Sequence, residues 1–261
     1  MEFKREKYER LLAFASTLPP LPTAVAHPCD HDSLSSIIEA ARLGLVAPIL
    51  VASRSKLEAV ASECNLDLGD LPIIDVPHSH AAAEVAVQLV HEGRAEALMK
   101  GSLHTDELMG AVVTRNGLRT GRRVSHCFVM DVPGRENALI ITDAAALCKM
   151  ADRQQITGGI LDGPLALDNA ISEEAARIKG IESPVAGRAN VLVVPDLESG
   201  NLLAKSLSFL AGADAAGIVL GAKVPIILTS RADSIMTRLA SCAVASLVAL
   251  ARRENPSAAI V

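Results

Sequence analysis

Short apolar runs alternate with amphipathic segments along most of this chain. The apolar run Ala47–Ala52 predicts a strand. The segment before it has apolar residues at helical spacing and predicts a helix, which Asp32 or Ser33 could cap and Gly44 would end. The repeated order of strand and helix predicts an α/β fold with a mainly parallel sheet. The other predicted strands are Thr23–Ala26, Leu71–Val76, Ala95–Met99, Val124–Asp131, Ala138–Thr142, Val191–Val194, Ala216–Leu220 and Pro225–Leu228, and the other predicted helices are Ser79–His91, Thr105–Arg115, Ala144–Ala151, Ser172–Lys179, Ser199–Ala211 and Ser234–Arg252. The turn-rich segment 132–137 is expected to join its two flanking strands as a hairpin.

Composition and charge exclude several classes of protein. Half of the residues are hydrophobic but only 2% are aromatic, so the core must be built from aliphatic side chains. The net charge of −5 is spread along the chain without a block of like charges, which argues against nucleic-acid and membrane-surface partners. The charged N-terminus is unlike a signal peptide, and no apolar run approaches the roughly 18 residues of a membrane helix, so we expect a cytoplasmic protein. The five cysteines lie far apart, which disfavours a zinc ribbon and a disulfide framework and indicates reduced thiols.

Ligands of open α/β sheets bind beyond the carboxyl ends of the strands, so residues that follow the apolar runs are the candidates for chemistry. Lys100-Gly101-Ser102 follows one run and leads into a helix, where free backbone N–H groups favour an anion such as phosphate. Ordinary helix capping by Ser102 or Thr105 explains the same residues. The chain has neither a Walker motif nor a G-x-G-x-x-G motif, which counts against a nucleotide hydrolase and a Rossmann dehydrogenase.

A second candidate turn, Ser230-Arg231, follows another apolar run and precedes the last helix. Its hydroxyl and guanidinium groups could face an anion or a carbonyl oxygen, although a capped helix start would use the same hydroxyl. Three aspartates at strand ends are candidate bases or ordinary turn residues: Asp143, Asp196 and Asp233. The histidines of segments 27–31 and 78–80 lack a partner cluster at metal-ligand spacing, so no metal site is expected.

Several longer stretches occur in an order that is typical of one enzyme family. They are His27–Asp30, Ala95–Leu108, Arg123–His126, Ala146–Arg153, Asp162–Ala170, Pro195–Asn201 and Thr229–Ser234. Together they resemble the phosphate acetyl- and butyryltransferases over nearly the whole chain, and most of all the butyryltransferase-like branch, including acetyltransferase modules fused to an enoyl-CoA hydratase.

The resemblance implies a fold and a reaction. It implies two α/β domains like those of isocitrate and isopropylmalate dehydrogenases, with the active site in the cleft, and a homodimer as the usual assembly. It implies transfer of an acetyl or butyryl group between coenzyme A and inorganic phosphate by direct thiol attack on an acyl phosphate in a ternary complex. Coenzyme A is then a substrate, and neither a metal nor a tightly bound cofactor is expected.

The resemblance also implies roles for particular residues. Ser230 matches the serine that stabilises the oxyanion, and Arg231 matches a ligand-binding arginine. The acetyltransferase branch has an aspartate two turns into the final helix, but this chain has Ile235–Arg238 there, which leaves Asp233 as the nearby carboxylate and candidate base. The residues expected to bind phosphate or the rest of the substrate are Lys100, Ser102, Thr105, Arg115 and Asn201.

One departure from the family concerns chain length. The strand 140–145 runs directly into the segment that begins at Ala146, where relatives carry a further crossover unit on the order of 30 residues or more. We therefore expect a first domain of residues 1–122 and 229–261, and a second domain of residues 123–228 that lacks one crossover unit after Ala145.

Two other functions are compatible with parts of this pattern. A non-catalytic acyl-CoA or phosphate binder would explain both the absent helical aspartate and the missing unit. A decarboxylating dehydrogenase of similar fold would need a cluster of aspartates for its divalent metal, and the sequence shows no convincing one.

Overall fold

The computed structural model describes residues 6–120, 124–143, 158–230 and 232–255. Several parts of the sequence predictions lie outside these residues: Arg123, the helix Ala144–Ala151 with the family stretch Ala146–Arg153, and Arg231; the side chain of the candidate base Asp143 is not described either. The chain packs as two compact units, one formed by residues 1–126 and 215–261 and the other by residues 127–214.

The structure alternates strands and helices, as the sequence pattern predicts. The strands are β1 (Leu21–Ala26), β2 (Val46–Ala52), β3 (Ile73–Asp75), β4 (Ala97–Lys100), β5 (Ser125–Asp131), β6 (Leu139–Asp143), β7 (Val191–Val194), β8 (Asp214–Leu220) and β9 (Ile226–Ile227). The helices of the described residues are α1 (Glu6–Ala15), α2 (His31–Arg42), α3 (Arg54–Glu63), α4 (Ser79–His91), α5 (Thr105–Val113), α6 (Leu167–Ile171), α7 (Glu173–Ile178), α8 (Leu197–Ala211) and α9 (Ile235–Glu254).

The first unit is built on a mostly parallel sheet with the strand order β3-β2-β1-β4-β9-β8. Four neighbouring pairs are parallel and β8 is antiparallel to β9. Nearly every residue of β1 and β4 is buried, so both faces of these strands are covered, as expected where helices pack on a parallel sheet. The carboxyl ends of β1, β4 and β9 therefore lie side by side along one edge of this sheet.

The second unit is smaller and contains β5, β6 and β7. Strand β6 pairs with β5 as the predicted antiparallel hairpin and with β7 in parallel register. Helix α8 packs on β6 and β7, with Gly200 allowing its first turns to approach Val194. Asp196 caps this helix by accepting a hydrogen bond from the Ser199 amide at 2.7 Å.

Helix α9 is the central covering helix of the first unit. It packs against α1, α2 and β9, and the Ser246 hydroxyl donates to the Leu45 carbonyl oxygen at 3.0 Å. By length and composition alone α9 could cross a membrane, which the sequence analysis did not foresee, but 56% of its apolar stretch is buried within the protein. The same burial is found in core helices of water-soluble proteins.

Three details differ from the sequence predictions. The N-cap of α2 is Asp30, whose carboxylate accepts from the Ser33 amide at 2.7 Å, so neither Asp32 nor Ser33 caps this helix. Helices α1, α3 and α6 were not predicted; in α1, charged residues mask the apolar face that packs on α9. The first compact unit resumes at Ala215, whereas the predicted first domain resumes at residue 229, because β9 pairs with β4 of the first unit. The predicted division into domains itself stays a prediction.

Candidate functional site

The two turns that the sequence analysis singled out follow adjacent strands of the first unit. Met99 in β4 pairs with Ile227 in β9 in parallel register, so Lys100 and Ser230 leave the sheet at the same edge. Adjacent strands are about 4.8 Å apart and each residue adds about 3.3 Å, which puts the two backbones within about 10 Å of each other. Lys100 is 4% exposed, and its ammonium group donates to the Gly101 carbonyl oxygen at 3.2 Å.

A tight backbone junction fixes the Lys100 turn against the end of β1. The Gly101 amide donates to the Ala26 carbonyl oxygen at 2.9 Å. The amide and hydroxyl of Ser102 both donate to the His27 carbonyl oxygen, each at 2.8 Å. The Ser102 hydroxyl also accepts from the Cys29 amide at 3.2 Å. Ser102 therefore connects two strand ends, which is a different role from the helix cap that its sequence position allows.

The end of β1 is strained and contains two titratable side chains. His27 has a φ of 54°, in the left-handed region that residues with a side chain seldom occupy. Its Nδ1 lies 3.7 Å from the Cys29 sulfur. Burial lowers the pKa of the His27 imidazole, and the Lys56 ammonium lowers it further. Burial also raises the pKa of the Cys29 thiol to about 11, so this thiol is protonated at neutral pH.

The Ser230 turn is held together by hydrogen bonds within residues 230–238. The Asp233 carboxylate accepts from the Ser230 amide at 2.6 Å, and the Ser230 hydroxyl accepts from the Ala232 amide at 3.4 Å. Ser234 caps α9 by accepting from the Thr237 amide at 3.2 Å. The guanidinium of Arg238, one turn into the helix, donates to the carbonyl oxygens of Ser230 at 3.2 Å and Asp233 at 3.4 Å. Helix α9 begins directly after this turn, so the positive end of its dipole lies beside Ser230.

Helix α5 begins at the same edge, and its start is fixed by a carboxylate. Thr105 is the first residue of α5, after the N-cap His104. Glu107 accepts from the His104 amide at 2.9 Å and the Ser79 hydroxyl at 2.9 Å, and lies 3.0 Å from His80 Nδ1. The hydrogen bond from the His104 amide is the main reason that the pKa of the Glu107 carboxyl is lowered. This network joins the starts of α4 and α5.

The structure does not bring all of the predicted site residues to this edge. Lys100, Ser102 and Thr105 lie on the β4 side of it, and Ser230 and Asp233 lie on the β9 side. Arg115 follows the opposite end of α5, about 14 Å along the helix from Thr105. Asn201 lies in α8 of the second unit and is half-buried.

Arg238 is a buried residue near the Ser230 turn that has no role among the sequence predictions. This side chain is 3% exposed, whereas arginines are seldom fully buried. The only signal in the sequence was a cation among the small and apolar residues of the last helix, and that pattern does not distinguish a buried arginine from one at the surface.

The histidines near the strand ends have structural partners. His78 caps α4 by accepting from the Ala81 amide at 3.1 Å, and His31 lies 3.0 Å from the Asp32 carboxylate. No group of three or more His, Cys, Asp or Glu side chains suited to a metal ion occurs among the described residues.

A known protein family matches part of this chain. Residues 143–246 match the family described as "Phosphate acetyl/butaryl transferase". A phosphate acetyltransferase of Rhizobium meliloti is 56% identical, and the alignment covers 97% of each chain. A phosphate butyryltransferase of Clostridium beijerinckii is 35% identical over 94% of this chain and 98% of the relative.

The alignment with the Rhizobium meliloti relative is longer than this chain. It runs over 306 positions, 45 more than the 261 residues here, so at least that many positions stand opposite gaps in this chain. The difference has the size expected if one crossover unit is missing, and the position of the loss after Ala145 stays a prediction.

Solved structures with a similar fold are found as well. A phosphotransacetylase from Streptococcus pyogenes superposes with a TM-score of 0.72 at 18% identity and covers 95% of this chain and 99% of that one. A branched-chain phosphotransacylase from Enterococcus faecalis superposes with a TM-score of 0.69 at 24% identity, covering 86% and 98%. At these identities the likeness concerns the fold.

Proposed function

We propose a direct-transfer mechanism for this chain, which belongs to the phosphate acetyl/butyryl transferase family and is an enzyme that moves an acyl group between coenzyme A and phosphate. In the direction of thioester synthesis, the sulfur of coenzyme A attacks the carbonyl carbon of an acyl phosphate. A carbon–sulfur bond forms, the carbon–oxygen bond to phosphate breaks, and inorganic phosphate leaves with the bonding electrons. The thiol proton passes to a base.

The roles at the first unit's edge follow from the charges that this reaction develops. Negative charge grows on the carbonyl oxygen and on the departing phosphate, and fixed donors stabilise both. We assign the oxyanion to the Ser230 hydroxyl beside the positive end of the α9 dipole, and the phosphate to Lys100 and Thr105. Ser102, predicted as a phosphate ligand, instead holds the Lys100 turn in place, because its amide and its hydroxyl both donate to the His27 carbonyl oxygen. Asp233 is the proposed base. Arg231, Arg115 and Asn201 stay as predicted ligand-binding residues.

The observation that carries this proposal is the register of β4 and β9. In this register the buried Lys100 and the Ser230 turn lie at the same edge of one sheet, within about 10 Å of each other. A group of the size of an acyl phosphate can contact both turns at that spacing. Had the two turns left opposite edges of the sheet, no single small substrate could have reached them.

A rate measurement with short acyl phosphates tests the proposal. The purified chain is incubated with coenzyme A and acetyl phosphate or butyryl phosphate, and thioester formation is followed by its absorbance. The Ser230→Ala variant should lose about 100- to 1,000-fold in kcat, the cost of one oxyanion donor, while Ser208→Ala on α8 serves as a matched control. The assignment of Ser230 is wrong if both variants turn over at the wild-type rate.

A second function is favoured by the length difference from the relatives. A chain shorter by at least 45 aligned positions could bind coenzyme A or acyl-CoA without turnover. Calorimetry with coenzyme A, together with the rate assay, separates the two functions: binding without thioester formation for any short acyl group identifies the binder.

The remaining features are proposals drawn from the family. They are the two-domain arrangement like that of isocitrate dehydrogenase, a homodimer, a cytoplasmic location, and the absence of a tightly bound cofactor. Sedimentation analysis of the purified chain measures the second of these directly.

A further inference from the structure

Arg238 is a buried cation beside the Ser230 turn, and it has no acidic partner among the residues that the structure describes. Only 3% of the residue is exposed. Its Nη2 donates to the Ser230 carbonyl oxygen at 3.2 Å and its Nε donates to the Asp233 carbonyl oxygen at 3.4 Å. A guanidinium has five N–H donors and does not deprotonate in proteins. The two carbonyl oxygens therefore leave some of its N–H donors unused and do not cancel its positive charge.

The titratable groups near Arg238 that the structure describes form no ion pair with it. The Asp233 carboxylate is engaged with the Ser230 amide at 2.6 Å, and it forms no ion pair with Arg238 within the described ranges. Cys242 follows one turn later on the same helix, and burial raises the pKa of its thiol to about 12, so it is uncharged at neutral pH. The charge of Arg238 opposes part of this rise in the pKa of the thiol.

A buried charge without a counterion is costly, and buried charges are normally paired. The two carbonyl oxygens that Arg238 holds belong to the first and last residues of one turn, Ser230 to Asp233. Its planar fork can fix their separation, which a lysine with a single nitrogen cannot do. The same edge is where the proposed reaction develops negative charge.

We infer that Arg238 is a positioning residue for acyl transfer: it clamps the Ser230–Asp233 turn through both carbonyl oxygens and places an unneutralised positive charge beneath it. The inference rests on the proposed function, because it takes Ser230 as the group that contacts the reacting carbonyl. A misplacement of such a group by about 1 Å lowers the rate on the order of 100-fold.

The test compares Arg238→Met, Arg238→Lys and Arg238→Ala with the wild type in the thioester assay, with thermal unfolding of each. Arg253→Met is the matched control, because Arg253 lies on the same helix but forms a half-exposed pair with Glu96 at 2.6 Å. We expect the Met variant to lose about 100-fold in kcat with little change in KM for coenzyme A. The Lys variant should recover only part of that loss, because it retains the charge but not the fork.

Guanidinium in the assay separates positioning from a merely structural role. Added guanidinium should restore part of the kcat of Arg238→Ala, while the same concentration of ammonium should not. Three results would overturn the inference: a folded Met variant at the wild-type rate, a Lys variant at the wild-type rate, or a loss that guanidinium does not relieve. If the Met variant does not fold, the Lys and Ala variants decide. An inactive wild type would refute the proposed function and the inference together, whereas an active wild type with an equally active Met variant refutes the inference alone.

Discussion

Replacing Gly101 with alanine should separate the ends of β1 and β4. A Cβ atom at this position would lie 2.5 Å from the His27 carbonyl oxygen and 2.6 Å from the Ala26 carbonyl oxygen. Contacts below 3.0 Å do not occur for real Cβ atoms, and both neighbours are backbone atoms that cannot rotate away. The two strand ends must therefore move apart by roughly 0.5–1 Å, as overpacked sites do.

The size of the effect follows from the bonds at this junction. The movement weakens the bond from the Gly101 amide to Ala26 at 2.9 Å and the two bonds from Ser102 to His27 at 2.8 Å. Each such bond contributes about 0.5–1.5 kcal/mol, and overpacking itself costs about 1–3 kcal/mol. With partial relaxation we expect a loss of about 3 kcal/mol in the free energy of unfolding, which lowers Tm by roughly 6–12 °C in a chain of this size.

Activity should fall further than stability alone explains. Lys100 precedes Gly101, so this proposed phosphate ligand shifts with it, and kcat/KM should drop on the order of 100-fold even at temperatures where the variant is folded. Urea unfolding followed by circular dichroism measures the first effect and the thioester assay measures the second.

Gly110→Ala is the matched control for this prediction. Gly110 lies inside α5, and an added Cβ would meet nothing within 4 Å. Alanine should therefore stabilise this helix by about 1 kcal/mol through its higher helix propensity. The proposed close approach of β1 and β4 is refuted if Gly101→Ala is as stable and as active as Gly110→Ala.

Two further predictions concern titratable groups of the same edge. Because burial raises the pKa of the Cys29 thiol to about 11, its alkylation by iodoacetamide, followed by mass spectrometry, should be slow near neutral pH in the folded protein and fast after unfolding; prompt modification of the folded protein would contradict this burial. The pKa of Glu107 is lowered in the folded state, mainly by the His104 amide, so its contribution to stability should be complete above its ordinary pKa and disappear as the pH falls through the lower folded value. Glu107→Gln should lower the free energy of unfolding by about 1–2 kcal/mol at neutral pH. Urea titrations over a pH series should show that the difference in unfolding free energy between the variant and the wild type shrinks in acid. A difference that does not change with pH would disprove the role of this carboxylate.

The sheet of the first unit was predictable because its strands are continuous apolar runs. The run Ala47–Ala52 needs no partner information to be assigned as a buried strand, and the helices between successive runs indicate that the strands are parallel. Short strands and helix starts were harder. β9 has two residues, and only its register with β4 reveals its place in the sheet. The choice of Asp30 over Asp32 as the cap of α2 depends on a 2.7 Å bond that local composition does not specify.

The candidate site was predictable at the level of turns and not at the level of contacts. Lys100 and Ser230 were singled out because each lies at the end of an apolar run, and strand ends are where α/β sheets bind ligands. The bond from Ser102 to His27 spans 75 positions of sequence, and the burial of Arg238 depends on how α9 packs. Neither has a local signature, so both required the folded chain.

The predicted loss of a crossover unit after Ala145 bears differently on the two units. The described contacts that shape the Lys100 and Ser230 turns, including those of Gly101 with β1 and of Arg238 with the Ser230 turn, are made within the first unit. A deletion in the second unit removes none of these bonds. The proposed donors of the first unit would therefore keep their geometry in the shortened chain, whereas Asn201, in α8 of the second unit, belongs to the part that the loss would change. A defect of this chain relative to its longer relatives should accordingly appear first in the KM for coenzyme A and less in the response of kcat to changes at Ser230.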